Sequence, residues 1–410
     1  RGRNHGSKGH NQQDQSGPDH GSVLLVYVLR CGNLIALSRY NLYISNDLSR
    51  FHLEEKKKMS TYDPSGTASY TTGLFGIPTK LETAKVVVIP VPWEVTTSYG
   101  SGTSQGPLSV LKASPQIDLF DLELKTSFEQ GFHMLEIPAS LQKLNDELKP
   151  KALQVREHLE EHGQLSESMQ TILDEVNRGC AKMSDWVHQQ SVQALKRGQI
   201  PAVLGGDHSS PEGNIRAVSE ALKGKVGVLH VDAHADLRVK YQGFERSHAS
   251  IMHNVMTAAW KPEKLVQVAI RDFSQEEFAL IRERKDISTF FDLYLKRDAF
   301  EGKSWADQCA KIVEILPQQV YVSFDIDGLS PEYCPHTGTP VPGGLTFDQA
   351  NYLLSALVQS GRRIVGFDLN EVAPGEADEW DGNVGARLLY KMCGWAVMSA
   401  SSADRSTTIS

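Results

Sequence analysis

The chain has 410 residues, 40% of them hydrophobic, enough for a well-buried core in one large or two smaller α/β domains. A formal net charge of −8 argues against nucleic-acid or anionic-membrane partners, which need a basic surface, and leaves small cationic substrates admissible. Five cysteines (Cys31, Cys180, Cys309, Cys334, Cys393) without C-x-x-C spacing argue against a disulfide framework or thiolate zinc site and favour a reducing cytoplasm.

Residues 1–58 differ in character from the rest of the chain. Positions 1–22 are polar and rich in Gly, His, Asn, Gln and Asp, and Ser22 to Ser38 is apolar but broken by Arg30, Gly32 and Asn33, too short to span a bilayer. The stretch reads as a disordered or non-native extension, with Met59 as a natural start after the charged run Glu54 to Lys58. The folded domain is expected over 59–398, with an N-terminal arm at 59–84 and a flexible tail at 399–410.

From Lys85 onward strands and helices alternate. The strand Lys85–Pro90 is followed by residues 115–165, read as an insertion or lid. Ser166 to Arg197 then carries Met169, Leu173, Val176, Cys180, Met183 and Val187 at helical steps and stops at Gly198. Next come the strand Ile200–Leu204, the helix Asn214–Leu222, the strands Val226–Val231 and Leu265–Ile270, and the helices Gln275–Arg284 and Trp305–Leu316. The strand Val320–Asp325, helix Phe347–Gln359, strand Ile364–Leu369 and helix Val384–Cys393 complete the series. The strand runs are apolar on both faces, so a mostly parallel sheet covered by helices on each side is expected. Sites in such sheets lie beyond the carboxyl ends of the strands.

Chemistry-bearing residues fall at those ends. Gly205-Gly206-Asp207-His208 follows one strand, Asp232-Ala233-His234-Ala235-Asp236 a second, and Asp325-Ile326-Asp327 a third. Six such ligands, His208, Asp232, His234, Asp236, Asp325 and Asp327, cannot share a pocket without counter-charge. They exceed the needs of one catalytic zinc and suit two five- or six-coordinate divalent ions that share carboxylates. Such ions lower the pKa of bound water from about 15.7 to about 7, which makes a bridging hydroxide available at neutral pH. His230, inside its strand, reads instead as a hydrogen-bonded core histidine. Glu371, in Asn370-Glu371-Val372-Ala373-Pro374, stands at a further strand end, where it would repel a phosphate and welcome a planar guanidinium through a two-pronged hydrogen bond.

Together with Ser323 to Pro331 and Gly338 to Leu345, these runs resemble the ureohydrolase family of arginases and agmatinases over about Lys85 to Trp395. The resemblance implies a three-layer α/β/α fold and a dinuclear manganese or nickel centre that hydrolyses a guanidino group to release urea. It also implies that His208 and Asp236 complete one metal, His234 and Asp327 the other, with Asp232 and Asp325 bridging. Glu371 would anchor the guanidinium and His248, in Ser247-His248-Ala249-Ser250, would shuttle the proton. Trimers or hexamers are implied as well.

Within the family, Leu237 to Ser247 lacks the Asn/Ser/Thr-rich segment with which arginases hold an amino-acid head. The segments Trp93 to Gly100 and Pro335 to Gly338 depart from agmatinases, which usually carry arginines after the first and a glycine in place of His336. With Trp93, Thr96 and Thr97 beside it, His336 is expected to shorten the substrate pocket. These departures are similar to the guanidine hydrolases, so free guanidine is the expected substrate, attacked by the bridging hydroxide, with nickel favoured and manganese the alternative. Agmatine or another guanidino compound is the second reading. A deacetylase of arginase-like fold, with one zinc and an apolar channel, fits the doubled ligand motifs poorly. A non-catalytic relative should have lost Glu371, His248 or a bridging carboxylate, and all are present.

Overall fold

Eight parallel strands form the centre of the computed structural model, which describes residues 66–406; the expectation for residues 1–58 lies outside the described residues. The strands are β1 (Val86–Val91), β2 (Phe132–Met134), β3 (Ile200–Gly205), β4 (Gly227–Val231), β5 (Lys264–Ile270), β6 (Ile287–Phe291), β7 (Gln319–Asp325) and β8 (Arg363–Asn370), in the order β2-β1-β3-β8-β7-β4-β5-β6. All neighbouring pairs are parallel.

The helices are α1 (Gly106–Ala113), α2 (Ala139–His162), α3 (Glu167–Lys196), α4 (Glu212–Ala221), α5 (Ile251–Thr257), α6 (Gln275–Glu283), α7 (Asp292–Phe300), α8 (Trp305–Ile315), α9 (Phe347–Gln359) and α10 (Trp380–Ser406). Successive strand residues serve opposite faces of the sheet. Val320, Val322 and Phe324 of β7 pack into the core that includes Val110 of α1, Ile312 of α8, Leu353 of α9 and Leu388 of α10. Tyr321, between them, joins the other face, with Val218 of α4 and Met252 of α5. That alternation yields the expected three-layer α/β/α arrangement.

All six expected strands form, and β2 and β6 add to them. Residues 115–165, read as an insertion or lid, contain β2, which pairs with β1, and α2, which packs on α3 through Leu148, Ala152 and Val155. The expected tail from 399 is helical through Ser406 as the end of α10. No described helix is long and apolar enough to cross a membrane.

Candidate metal centre and substrate pocket

The expected ligands come from the ends of three strands, β3, β4 and β7, and Glu371 from the end of a fourth, β8; the four are consecutive in the sheet, in the order β3-β8-β7-β4. Parallel register then brings their carboxyl ends to one line, with Asp325 of β7 opposite Asn370 of β8. Two close approaches make the turns possible. A Cβ on Gly206 would stand 2.2 Å from the Trp93 carbonyl oxygen, and one on Gly328 would stand 2.8 Å from the Asp232 nitrogen, so glycine is required at both.

His208 points Nδ1 at three carboxylates: Asp232 Oδ2 at 2.9 Å, Asp325 Oδ2 at 3.1 Å and Asp236 Oδ2 at 3.4 Å. His234 Nδ1 stands 3.1 Å from Asp327 Oδ2 and 3.5 Å from Asp232 Oδ1. Donor atoms of His208, His230, Asp232 and Asp236 form one convergent group and those of Asp232, His234 and Asp327 another, so Asp232 belongs to both, while Asp325, expected to bridge, is in neither and reaches the cluster through His208. His208 Nδ1 and Asp327 Oδ2 are buried yet lack a hydrogen bond of acceptable geometry. Buried polar atoms without partners are rare. Two hard-to-borderline divalent ions would satisfy them, and the donor set fits that group.

The outer nitrogens are held by the protein. His208 Nε2 meets Ser323 Oγ at 2.9 Å, and that hydroxyl donates to Asp368 Oδ1 at 3.0 Å. This leaves Nδ1 for a cation. His230 is fully buried, as expected of a core histidine, and its Nε2 meets Asp232 Oδ2 at 2.8 Å while Gln267 Nε2 lies 3.1 Å from its Nδ1. His234 Nε2 is 4.0 Å from Asp272 Oδ2, a carboxylate that composition and spacing gave no reason to select.

The electrostatics fit a cluster built around cations. Burial drives the carboxyls of Asp236 and Asp325 well above the ordinary range, and neighbouring carboxylates add to the effect. Burial also opposes ionisation of Asp232, but the imidazoles of His230 and His208 overcome it and hold that carboxyl well below the ordinary range. Burial works against a proton on His208 and His234, yet the surrounding carboxylates raise both imidazoles well above theirs. Protons here balance the same negative charge that divalent ions would.

Glu371 occupies a left-handed backbone conformation, φ 62°, and so does Asp236, φ 54°. Non-glycine residues adopt it only where their surroundings impose it. Glu371 Oε1 accepts from the His208 amide at 2.8 Å, its own amide donates to the Gly206 carbonyl at 2.8 Å, and its carbonyl accepts from Thr337 Oγ1 at 2.8 Å. Burial, followed by the charges of Asp325 and Asp207, pushes its carboxyl well up. A cation bound against it would favour the ionised form.

A cavity of about 150 Å³ opens on the cluster, lined by His234, Asp236, His248, Ser98, Tyr241 and Phe273 among others. His248 Nε2 is 3.3 Å from Ser98 Oγ, and its buried Nδ1 has no partner among the described residues. Burial, with the charges of His234 and His208, pushes His248 down to about 3, so the ring rests neutral. A larger cavity, about 520 Å³, lies at the opposite ends of the strands around Ile200, Gln319 and Arg363 and holds none of these groups.

The residues expected to shorten the pocket fall elsewhere. Trp93 is fully buried in the apolar cluster of Ile89, Val91 and Met183, and Thr96 and Thr97 border a separate cavity with Arg156. Neither they nor His336 border the cavity at His234 and Asp236, where the loop turns Ser98 inward instead, and Glu371 is not among its lining residues either. His336 is exposed and bonded to Asp381. Ser98 and Thr337 were missed, since a single hydroxyl among many carries no sequence signal of its own.

A sequence profile of the Arginase family matches residues 84–394. The chain is 32% identical over 312 residues to an N(1)-aminopropylagmatine ureohydrolase of Synechocystis, covering 76% of this chain and 89% of that protein. It is 28% identical over 322 residues to a guanidinobutyrase of Pseudomonas aeruginosa, covering 77% and 87%. The fold matches the crystal structure of agmatine ureohydrolase of Thermoplasma volcanium with a TM-score of 0.59, at 24% identity over 78% of this chain and 93% of that one. Paired metal-ligand motifs on adjacent strand ends and a profile match over most of its length thus agree: the chain belongs to the arginase family, as a hydrolase of carbon–nitrogen bonds in guanidino compounds.

Proposed function

We propose that the protein hydrolyses free guanidine to urea and ammonia, with His208, Asp232, His234, Asp236, Asp325 and Asp327 holding two divalent ions, nickel in preference to manganese. The observation that carries this reading is the small size of the cavity at the cluster, about 150 Å³, bordered by Ser98, Tyr241 and Phe273. It suits a compact planar cation better than one with a long tail. Ions bound there supply Lewis acidity and a nucleophile activated at neutral pH.

The chain's own groups do the rest. Glu371, ionised once the cation arrives, receives two guanidinium N–H bonds in a planar, charge-assisted pair and orients the central carbon. Neutral His248 takes a proton at a ring nitrogen and passes it to the departing nitrogen, which leaves as ammonia while water provides the oxygen of urea. The Ser98 hydroxyl fixes the ring orientation. The net change is one carbon–nitrogen bond broken and one carbon–oxygen bond formed. The same machinery would serve agmatine or a guanidino acid, and the named activities of the two curated relatives favour keeping those readings. A cytoplasmic homo-oligomer, trimer or hexamer, completes the proposal.

The deciding experiment measures urea release from guanidine, agmatine, 4-guanidinobutyrate and arginine with protein loaded separately with nickel and with manganese. Urea from guanidine, highest with nickel, is the expected result. Urea from agmatine but none from guanidine with either metal would overturn the substrate while leaving the family chemistry intact.

A further inference from the structure

His336 does not face the cavity, yet it is tied to the residue that does the substrate's anchoring. Its backbone amide donates to Asp381 Oδ1 at 3.0 Å, and its ring Nδ1 lies 2.8 Å from Asp381 Oδ2, donating to a carboxylate that can only accept. The Asp381 side chain is wholly buried in the first turn of α10, whereas the His336 side chain is 39% exposed. The ring also closes on Gly375, where an added Cβ would stand 2.6 Å from His336 Cε1. One imidazole therefore joins the turn around it to two points of the segment that follows Glu371.

The turn touches Glu371 directly. Thr337, the next residue, is buried and its hydroxyl donates to the Glu371 carbonyl at 2.8 Å. Gly338 follows, close enough that a Cβ on it would lie 3.3 Å from Glu371 Oε2, and its carbonyl accepts from Gly100 at 3.0 Å. Cys334 Sγ, donating to the Ile326 carbonyl at 3.2 Å, pins the other end of the turn beside Asp327. Glu371 is in a left-handed conformation that must be held from outside. Thr337 supplies one such hold, and His336, its neighbour in the chain, ties the turn that carries Thr337 to Asp381. The hydrogen bond to Asp381 and the charge of that carboxylate, with those of Asp378 and Glu376, raise the proton affinity of His336 and keep the pair closed.

We propose that His336 is a positioning residue for substrate capture: by locking Cys334–Gly338 to the buried Asp381, it fixes the backbone of Glu371 and so the place where a guanidinium binds. The proposal rests on reading Glu371 as the guanidinium anchor.

The test begins with wild-type turnover of guanidine, agmatine and 4-guanidinobutyrate. If guanidine fails and another compound is hydrolysed, the substrate reading falls and the remaining measurements use that compound. His336→Ala should raise KM about tenfold and weaken guanidinium binding in calorimetry by the same factor, with kcat changed less than about twofold. Metal content should stay at the wild-type level. His336→Asn, whose side-chain amide can still donate to Asp381, should return KM to within about threefold of wild type. Thr337→Val should resemble His336→Ala, and the double variant should be no worse than the worse single, because both act through one path. Should His336→Ala not fold, Thr337→Val and His336→Asn decide by the same split. Unchanged KM and binding in folded His336→Ala or Thr337→Val, a lower melting temperature without a change in KM, or additive losses in the double variant would each overturn it.

Discussion

The two kinds of carboxylate at this site are separated by what they touch. Asp325 faces His208 Nδ1 at 3.1 Å inside the cluster, while Glu371 accepts the His208 amide and has no imidazole nitrogen against it. Asp325→Ala should therefore strip metal, leaving fewer than two ions per chain by elemental analysis, and cost at least about a hundredfold in turnover, since even outer partners of a ligand cost 10–100-fold. Glu371→Gln keeps the shape and removes a charge from a charge-assisted pair worth about 1.5–3 kcal/mol, so kcat/KM should fall roughly 10- to 150-fold, chiefly through KM and with metal content retained. Loss of metal in Glu371→Gln, or retained metal and activity in Asp325→Ala, would contradict these roles. The cluster that could hold metal was legible because Asp-x-His-x-Asp and Asp-x-Asp each gather several donors within five residues. Ser98 and Thr337 were not, because their importance comes only from the turns that aim them at His248 and Glu371.

At the scale of elements, backbone contact sets what the helices tolerate. α4 lies so close to α3 that a Cβ on Gly213 would stand 2.1 Å from the Ser184 carbonyl oxygen and 2.6 Å from the His188 nitrogen. Alanine has the better helix propensity by about 1 kcal/mol, but overpacking against a backbone that cannot rotate away costs about 1–3 kcal/mol. The second effect wins where the obstacle is backbone on both sides, so Gly213→Ala should lower the urea midpoint of the metal-free protein by a net loss of up to about 2 kcal/mol. An unchanged or raised midpoint would show that α4 can shift. The same scale explains the incomplete reading of the sheet. β2 is three residues with His133 at its centre, too short for any periodicity, and β6 begins Ile-Ser-Thr, a half-polar edge unlike the doubly buried inner strands. α2 was hidden by Pro150 inside it and by its many charged and polar residues, although Leu141, Leu148, Ala152 and Val155 mark its buried face. Asn145 and Lys149 on that helix then hold Glu94, through its amide and its carboxylate, so a segment expected as a lid supports the loop that carries Ser98.

For the whole molecule, the cluster links strands whose sequence positions are far apart. β3, β4, β7 and β8 each deliver an acidic or imidazole group to one end of the sheet, and without cations burial disfavours the charges on Asp236 and Asp325. Ions that bind only the folded chain stabilise it by mass action, about 2.7 kcal/mol for each independent site at a free concentration a hundred times Kd. Removing them with a chelator should lower the melting temperature, and adding nickel or manganese back should restore it in a concentration-dependent way. The sign with pH comes from the ligands: His208 and His234 must be deprotonated to bind, so affinity and the stabilisation it brings should weaken as pH falls. Scanning calorimetry of stripped and reloaded protein at pH 8 and pH 6 should thus find the larger difference at pH 8. A melting temperature indifferent to both chelator and added metal would mean that the cluster closes on protons alone, and that the carboxylates are paired by His208 and His234 rather than awaiting ions.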